Sequence, residues 1–237
     1  MKGIPDILNI LFIFTTIITV YQFNRAANRS RMVLIIIIAW LAIQGMVALS
    51  GFYTVTNTLP PRFMFTVLPP VLLFIVLFLT AGGRRFIDGL QLPQLTLLHT
   101  VRVVVELLLL WLFLEKKIPR VMTFEGWNFD VLAGLSAPIV YYLVFVKKAM
   151  SRKALLVWNI LALLLLLNIV TIAVLSAPFR FQVLGHDQPN IAVLYFPFVW
   201  LPCCIVPLVL FSHLAAIRQL TRPETRTNVR ANERMKK

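Results

Sequence analysis

The sequence predicts an all-α, polytopic membrane protein with seven transmembrane helices. Apolar residues make up 59 % of the 237 residues and charged residues only 14 %, a composition too apolar for a soluble domain of this length. Seven apolar runs approach the roughly 20 helical residues that a hydrocarbon core about 30 Å thick requires. Charged residues lie almost entirely between these runs. We therefore expect the chain to fold in lipid, with one helix for each run.

The predicted spans are bounded by charged residues, glycine or proline. In chain order they cover residues 4–23, 32–50, 63–80, 95–114, 129–146, 154–175 and 190–217. The first is expected to be a retained span rather than a signal peptide, because Asp6 lies just inside it and no small-residue cleavage site follows. Residues 1–217 are thus predicted to form one membrane domain, and residues 218–237 a basic tail.

Prolines inside three of these runs predict bent helices. Each removes an intrahelical hydrogen bond and favours a kink, which can open a cavity. The prolines are Pro69, Pro70, Pro138, Pro197, Pro202 and Pro207. The seventh span contains the last three of them and is expected to be visibly bent.

The distribution of basic residues predicts the orientation. The loops that share a side with the C-terminal tail carry, together with the tail, sixteen Lys and Arg residues against three acids, a net charge of +13. The opposite side carries six basic residues against five acids, a net charge of +1. The positive-inside rule therefore predicts that the N-terminus lies outside and the C-terminus lies in the cytoplasm.

The fourth predicted span carries three ionisable residues inside its apolar run. His99, Arg102 and Glu106 are spaced so that they share one helical face. A charged group near the middle of a bilayer costs about 3 kcal/mol even on the mildest insertion scale, so this face is expected to point into the bundle. It forms either an internal Arg102–Glu106 ion pair that locks helix packing, or a ligand, proton or catalytic site.

Two amide side chains are candidates to complete such a site. Gln44 lies near the middle of the second span, and Asn168 shares a face of the sixth span with Thr171. The alternative is that they form hydrogen bonds between helices, which typically contribute less than about 2 kcal/mol each. Asn159 lies about half a turn out of phase with Asn168 and is expected to contact a different neighbour.

Two loops on the predicted outer side carry acidic residues and a histidine. Glu125 and Asp130 lie before or at the start of the fifth span, and His186 and Asp187 precede the seventh. These residues predict either helix caps in ordered loops or a cation site or lid over the bundle. One histidine with scattered carboxylates does not form a recognised metal-ligand pattern, so no metal is predicted.

No motif predicts a cofactor, so none is expected. The alternative is a haem bound by two histidines. His99 and His213 each lie about a turn inside the cytoplasmic edge of their span. If the fourth and seventh spans are neighbours, the two imidazoles are candidates to ligate a b-type haem.

Cys203 and Cys204 are adjacent, which excludes CxxC spacing, and they are expected to pack within the last span.

The basic tail predicts contact with membrane lipids. Its arginines recur about every fourth residue, as in a helix lying along anionic headgroups, which contribute roughly 1 kcal/mol for each nearby base. The tail lacks the aromatic residues that stack on bases, so no nucleic-acid partner is expected. If the buried polar groups serve only to pack helices, the chain is instead expected to be a subunit that binds another membrane protein.

The strings from His99 to Glu106 and from Met122 to Asp130 are similar to those of an uncharacterised family of bacterial seven-span proteins. This resemblance implies a bacterial inner membrane and implies no function. From the residues, the leading hypothesis is a bundle that binds or translocates a small or amphiphilic ligand at a site on the fourth span. One alternative is an enzyme acting on a lipid or isoprenoid, with Glu106 as acid or base, Arg102 stabilising charge and His99 relaying a proton. The other is a non-catalytic accessory subunit.

Overall fold

A computed structural model of the chain describes residues 3–222, and the fold is all-α. It is 71 % helical, and residues 3–222 contain no strand. The α-helices are α1 (Asp6–Ala26), α2 (Arg31–Leu49), α3 (Met64–Leu79), α4 (Ala81–Asp88), α5 (Leu92–Leu98), α6 (Val101–Leu114), α7 (Val131–Tyr141), α8 (Arg152–Leu175) and α9 (Val206–Thr221). Turns of π-helix occupy Tyr142–Val146 and Leu201–Ile205, and 3₁₀ turns occupy Phe52–Thr54, Arg120–Met122 and Ala192–Leu194.

Within residues 3–222, five helices are long and apolar enough to cross a membrane. They are Asp6–Ala26, Arg31–Leu49, Leu92–Leu114, Arg152–Leu175 and Leu201–Thr221. The third predicted span corresponds to α3, and α3 with α4 forms a bent pair that is a sixth candidate if the two helices count as one broken span. The fifth predicted span forms the apolar helix Val131–Val146, which is shorter than the others. The described helices thus fit a polytopic membrane protein, with five candidate spans, or six if the bent pair counts as one.

Hydroxyl side chains begin several of these helices. Ser30 accepts a hydrogen bond from the backbone N–H of Val33 at the start of α2, and Ser151 caps α8 in the same way. Such bonds satisfy donors that the first helical turn leaves free. Thr80 caps α4 through the N–H of Gly83.

The junction between α3 and α4 bends by 95°. The bend lies after α3, which continues through Pro69 and Pro70. Gly83 permits the bend, because a Cβ at this position would lie 2.3 Å from the backbone oxygen of Leu77. As a result, α4 turns across the end of the bundle, with Ile87 buried.

The seventh predicted span, residues 190–217, is only partly helical. Continuous helix begins at Leu201 and runs to Thr221, after 3₁₀ and irregular turns. Pro202 lies in the π-helical turn and Pro207 in the first turn of α9. Because proline cannot donate a backbone hydrogen bond, departures from regular α-helix are expected here. The helix also continues into the segment assigned to the basic tail, and residues 223–237 of that tail lie outside the described range.

The helix Leu201–Thr221 is the most deeply buried of the candidate spans and organises the bundle. α9 packs against α3, α4, α5 and α8. Phe211 is fully buried, with ring centroids 4.9 Å from Phe74 of α3 and 6.0 Å from Phe23 of α1. Arg218 pairs with Asp88, which links the end of α9 to α4.

Long-range contacts gather the loops at two ends of the bundle. At one end, Asn28 donates to the backbone oxygen of Gly89, and Arg152 donates to that of Gln219. At the other end, Gln188 donates to the backbone oxygen of Ile118 at 2.5 Å. The basic loops that were predicted to share one side therefore lie at the same end of the structure.

Candidate functional site

Arg102 on α6 and Asp130 at the start of α7 form a buried ion pair. The Nε of Arg102 donates to Oδ2 of Asp130 at 2.6 Å, and its Nη2 donates to Oδ1. Nη2 also donates to the backbone oxygen of Ala162 at 3.0 Å, and Nη1 donates to Nε2 of His213 at 3.1 Å. Arg102 thus joins α6, α7, α8 and α9. The alternative of an Arg102–Glu106 ion pair is wrong, because Asp130 is the carboxylate partner of Arg102.

Glu106 lies one turn after Arg102 on α6 and has a different partner. Nδ2 of Asn128 donates to both carboxylate oxygens of Glu106, at 2.7 and 2.6 Å, and to the backbone oxygen of Met122 at 2.9 Å. Oδ1 of Asn128 accepts from the backbone N–H of Asp130 at 3.0 Å. Asn128 therefore links two acids, one of which is paired with a cation and the other with an amide.

The chain segment before α7 enters the bundle instead of lying over it. Asn128 and Asp130 meet their partners near the middle of the 23-residue helix Leu92–Leu114. Gly134 allows the close approach of α7, because a Cβ there would lie 2.8 Å from the backbone nitrogen of Val103. Non-helical backbone at this depth is tolerated because it is buried in protein. This arrangement explains why the helix that follows is short.

Two stacked histidines adjoin the ion pair. The rings of His99 and His213 lie 3.8 Å apart between centroids, with 13° between their planes. Nε2 of His213 accepts from Arg102, so Nδ1 is the donor to Oδ1 of Asn159, 3.0 Å away, and the ring is the neutral Nδ1–H tautomer. His99 is fully buried against the edge of Trp158 and makes no hydrogen bond within the described part of the chain.

This geometry does not fit the haem alternative. A haem with two axial histidines lies between their imidazoles, whereas the rings of His99 and His213 are in direct contact. Both ring nitrogens of His213 are also engaged by protein groups. The fourth and seventh predicted spans are neighbours, as haem ligation required. The two histidine rings are stacked on each other, however, and leave no space for a haem between them.

An apolar cavity of about 260 Å³ lies beside the ion pair and Glu106. Its walls come from α3, α6, α8 and the helix Leu201–Thr221, and its charged lining residues are Arg102, Glu106 and Asp130. For comparison, an apolar cavity of about 150 Å³ holds benzene. The cavity can therefore accept a small organic molecule with an apolar body.

Gln44 and Asn168 do not line this cavity. Gln44 is buried, accepts a 2.5 Å hydrogen bond from the hydroxyl of Tyr53 and donates to the backbone oxygen of Phe65. Burial raises the pKa of Tyr53 to about 12, so its hydroxyl remains a donor at neutral pH. Asn168 is exposed and donates to the backbone oxygen of Trp127 at 2.8 Å. Both amides link separate elements, which was the alternative to a binding role.

The outer-loop candidates do not come together as a cation site. Asp130 is buried beside Arg102, whereas Glu125 is exposed and its carboxylate lies 4.0 Å from the guanidinium of Arg120. His186 and Asp187 are exposed as well. Among residues 3–222, no group of three His, Cys, Asp or Glu side chains is placed to hold a metal ion.

The burial of His99, Arg102 and Glu106 confirms that this face points into the bundle. The sequence did not predict that Asn128 and Asp130 share this interior, because Asp130 was assigned to an outer loop as a helix cap or cation-site residue. The available signal was two polar residues separated by one position, directly before an apolar run. That pattern is also typical of a surface cap, so it does not reveal the burial.

Comparisons with known proteins relate the chain to a family without an assigned function. Residues 61–221 match a family model described as "Domain of unknown function (DUF8737)". The matched region contains α3 to α9 and therefore the Arg102–Asp130 pair, Glu106 with Asn128, and both stacked histidines. No curated protein and no solved structure matches the chain significantly.

Proposed function

The chain belongs to the DUF8737 family, and because the function of that family is unknown, we propose one from the site itself. The protein binds a small or amphiphilic ligand in the cavity beside Arg102, Glu106 and Asp130. The observation that carries this proposal is a buried acidic residue in the lining of an apolar cavity. Glu106 lines the cavity and has an amide, rather than a cation, as its side-chain partner. A ligand with one polar group and an apolar body complements such a site.

The Arg102–Asp130 pair needs no ligand to explain it. Four of the five guanidinium N–H donors suffice for its bonds to Asp130, Ala162 and His213. This pair therefore has a sufficient role in joining four helices. Glu106 does not contribute to that pair, so Glu106 is the residue whose replacement tests ligand binding.

The experiment is native mass spectrometry of the protein purified in mild detergent, with Glu106→Gln as the test variant. Glutamine has nearly the same size, so folding is expected to survive while a retained ligand is lost. Glu125→Gln is the matched control, because this residue is exposed and lies outside the cavity. Undiminished ligand occupancy in Glu106→Gln would contradict the assigned site. A wild-type protein that never carries or takes up a ligand would favour the accessory-subunit alternative.

We further propose seven spans in a bacterial inner membrane, with the N-terminus outside and the C-terminus in the cytoplasm. In this arrangement α3 is the third span, α4 lies across its cytoplasmic end, and Val131–Val146 is the short fifth span. The clustering of the basic loops at one end supports this orientation, and the basic tail then faces anionic headgroups.

Cysteine labelling of intact cells tests the orientation. Arg85 and Glu125 are both exposed and belong to opposite ends of the bundle. An impermeant maleimide is expected to label Glu125→Cys in intact cells and Arg85→Cys only after permeabilisation. The native Cys203 and Cys204 are buried and provide little background. The reverse labelling pattern would overturn the topology.

The enzyme alternative gains no support from the geometry. It assigned His99 as a proton relay for Glu106, whereas His99 does not line the cavity and its ring contacts His213 and Trp158. We therefore put forward binding as the single function.

A further inference from the structure

The charged residues that line the cavity do not balance one another. Arg102 is offset by Asp130, and His213 is neutral because it accepts a hydrogen bond from Arg102 and donates one to Asn159. Among residues 3–222, no basic side chain forms an ion pair with Glu106. A buried carboxylate without a compensating charge is costly. Charge balance at this site therefore requires a proton on Glu106 or a positive charge brought by a ligand.

The walls of the cavity select the rest of the ligand. Apart from Arg102, Glu106, Asp130 and the amide of Asn190, the described residues that line the cavity are apolar. A fully hydrated ion would exchange its water shell for few polar ligands there, which is unfavourable. An organic cation with a compact apolar body matches both the wall and the carboxylate.

The position of the opening indicates the route by which a ligand enters. Val67 on α3 and Leu167 and Val174 on α8 line the cavity and are also 36 %, 44 % and 42 % exposed. All three belong to apolar helices, so their exposed surface faces lipid when the protein is embedded. The cavity is therefore reached sideways from the bilayer, between α3 and α8.

From these observations we infer that the ligand is a membrane-dissolved amphiphilic cation, such as a protonated or quaternary amine. It enters between α3 and α8 and places its positive group against Glu106. This inference rests on the proposed function and specifies the chemical class of the ligand.

The test compares benzyltrimethylammonium with neopentylbenzene, which has the same shape but no charge. Binding is measured by isothermal titration calorimetry on the purified protein in lipid nanodiscs, with empty nanodiscs as the blank. The wild-type protein is expected to bind the cation about tenfold or more tightly than the neutral probe, because the buried carboxylate of Glu106 attracts a positive charge in a low-dielectric site. Glu106→Gln is expected to remove this preference, and Glu125→Gln is expected to retain it.

The outcomes separate the two proposals. Equal binding of both probes by the wild-type protein would overturn the cationic class and leave the ligand cavity standing. Binding of neither probe, together with no ligand in the purified protein, would overturn the proposed function. A preference for the cation that survives in Glu106→Gln would overturn the assignment of this carboxylate.

A second pair of variants tests the sideways route. Val174→Trp places a bulky ring at the opening and is expected to slow or abolish binding of the cation. Val157→Trp is the control, because Val157 lies on the same helix, is 55 % exposed and does not line the cavity. Unchanged binding kinetics in Val174→Trp would refute entry between α3 and α8.

Discussion

A double-mutant cycle on Arg102 and Asp130 tests whether this ion pair holds the bundle together. The variants are Arg102→Met, Asp130→Leu and the combination of the two. The quantity measured is the free energy of unfolding of each protein in mixed detergent micelles, followed by tryptophan fluorescence and circular dichroism. The cycle reports the interaction between the two side chains, because effects on other neighbours cancel to first order.

The structure sets the expected magnitudes. Asp130→Leu removes two charge-assisted hydrogen bonds and leaves the buried guanidinium with only His213 and the Ala162 backbone oxygen. Removing one partner of a buried pair costs about 3–5 kcal/mol, so each single variant is expected to lose that much. The double variant leaves neither charge of the pair without its partner. Its main loss is the hydrogen bond to Nε2 of His213, and its free energy of unfolding is expected to fall by about 1–3 kcal/mol. The coupling energy is therefore expected to reach about 3 kcal/mol or more.

The pair Arg218–Asp88 is the matched control. It has the same residue types and two guanidinium bonds of 3.1 and 3.3 Å, but both side chains are partly exposed, and Asp88 also pairs with Arg222. Its coupling energy is expected to be about 1 kcal/mol or less. A coupling energy between Arg102 and Asp130 no larger than that of the control would refute the reasoning.

Three further predictions follow from individual contacts. Asn128→Ala removes the donor shared by both oxygens of Glu106 and is expected to lower the free energy of unfolding by about 1–3 kcal/mol; an unchanged value would argue against this link. Gly134→Leu is expected to force α7 away from α6, since even a Cβ lies 2.8 Å from α6, and to reduce the monodisperse fraction in size-exclusion chromatography. Gly82→Leu is the control, because nothing lies within 4 Å of a Cβ there. Burial raises the pKa of Tyr53 from 10.0 to about 12, so its contribution to stability is present below pH 10 and is lost as the pH rises toward 12, because the unfolded chain ionises first. In that window the free energy of unfolding is expected to fall less steeply with pH for Tyr53→Phe than for the wild type, and equal slopes would contradict the assignment.

Helices with uninterrupted apolar sequence were predicted closely. The spans predicted at residues 32–50 and 154–175 correspond to Arg31–Leu49 and Arg152–Leu175. In such runs, apolar length and the charges at each end together decide where the helix lies. The predictions were less accurate where proline or close backbone packing intervened, as in residues 190–217, because the local geometry there depends on neighbouring helices.

The sequence by itself determined that the chain is all-α, that several of its helices are long and apolar enough to cross a membrane, and that His99, Arg102 and Glu106 face the interior. These properties follow from composition and from spacing within one helix, since burying a charge against lipid is costly. Only the tertiary structure decided that Arg102 pairs with Asp130, that Asn128 engages Glu106 and that a cavity lies beside the two acids. Periodicity along one helix fixes which side chains share a face, but it contains no information about which distant segment packs against that face. Here the partner is the segment before α7, which enters the bundle because its polar groups find partners there and Gly134 lets the backbones meet.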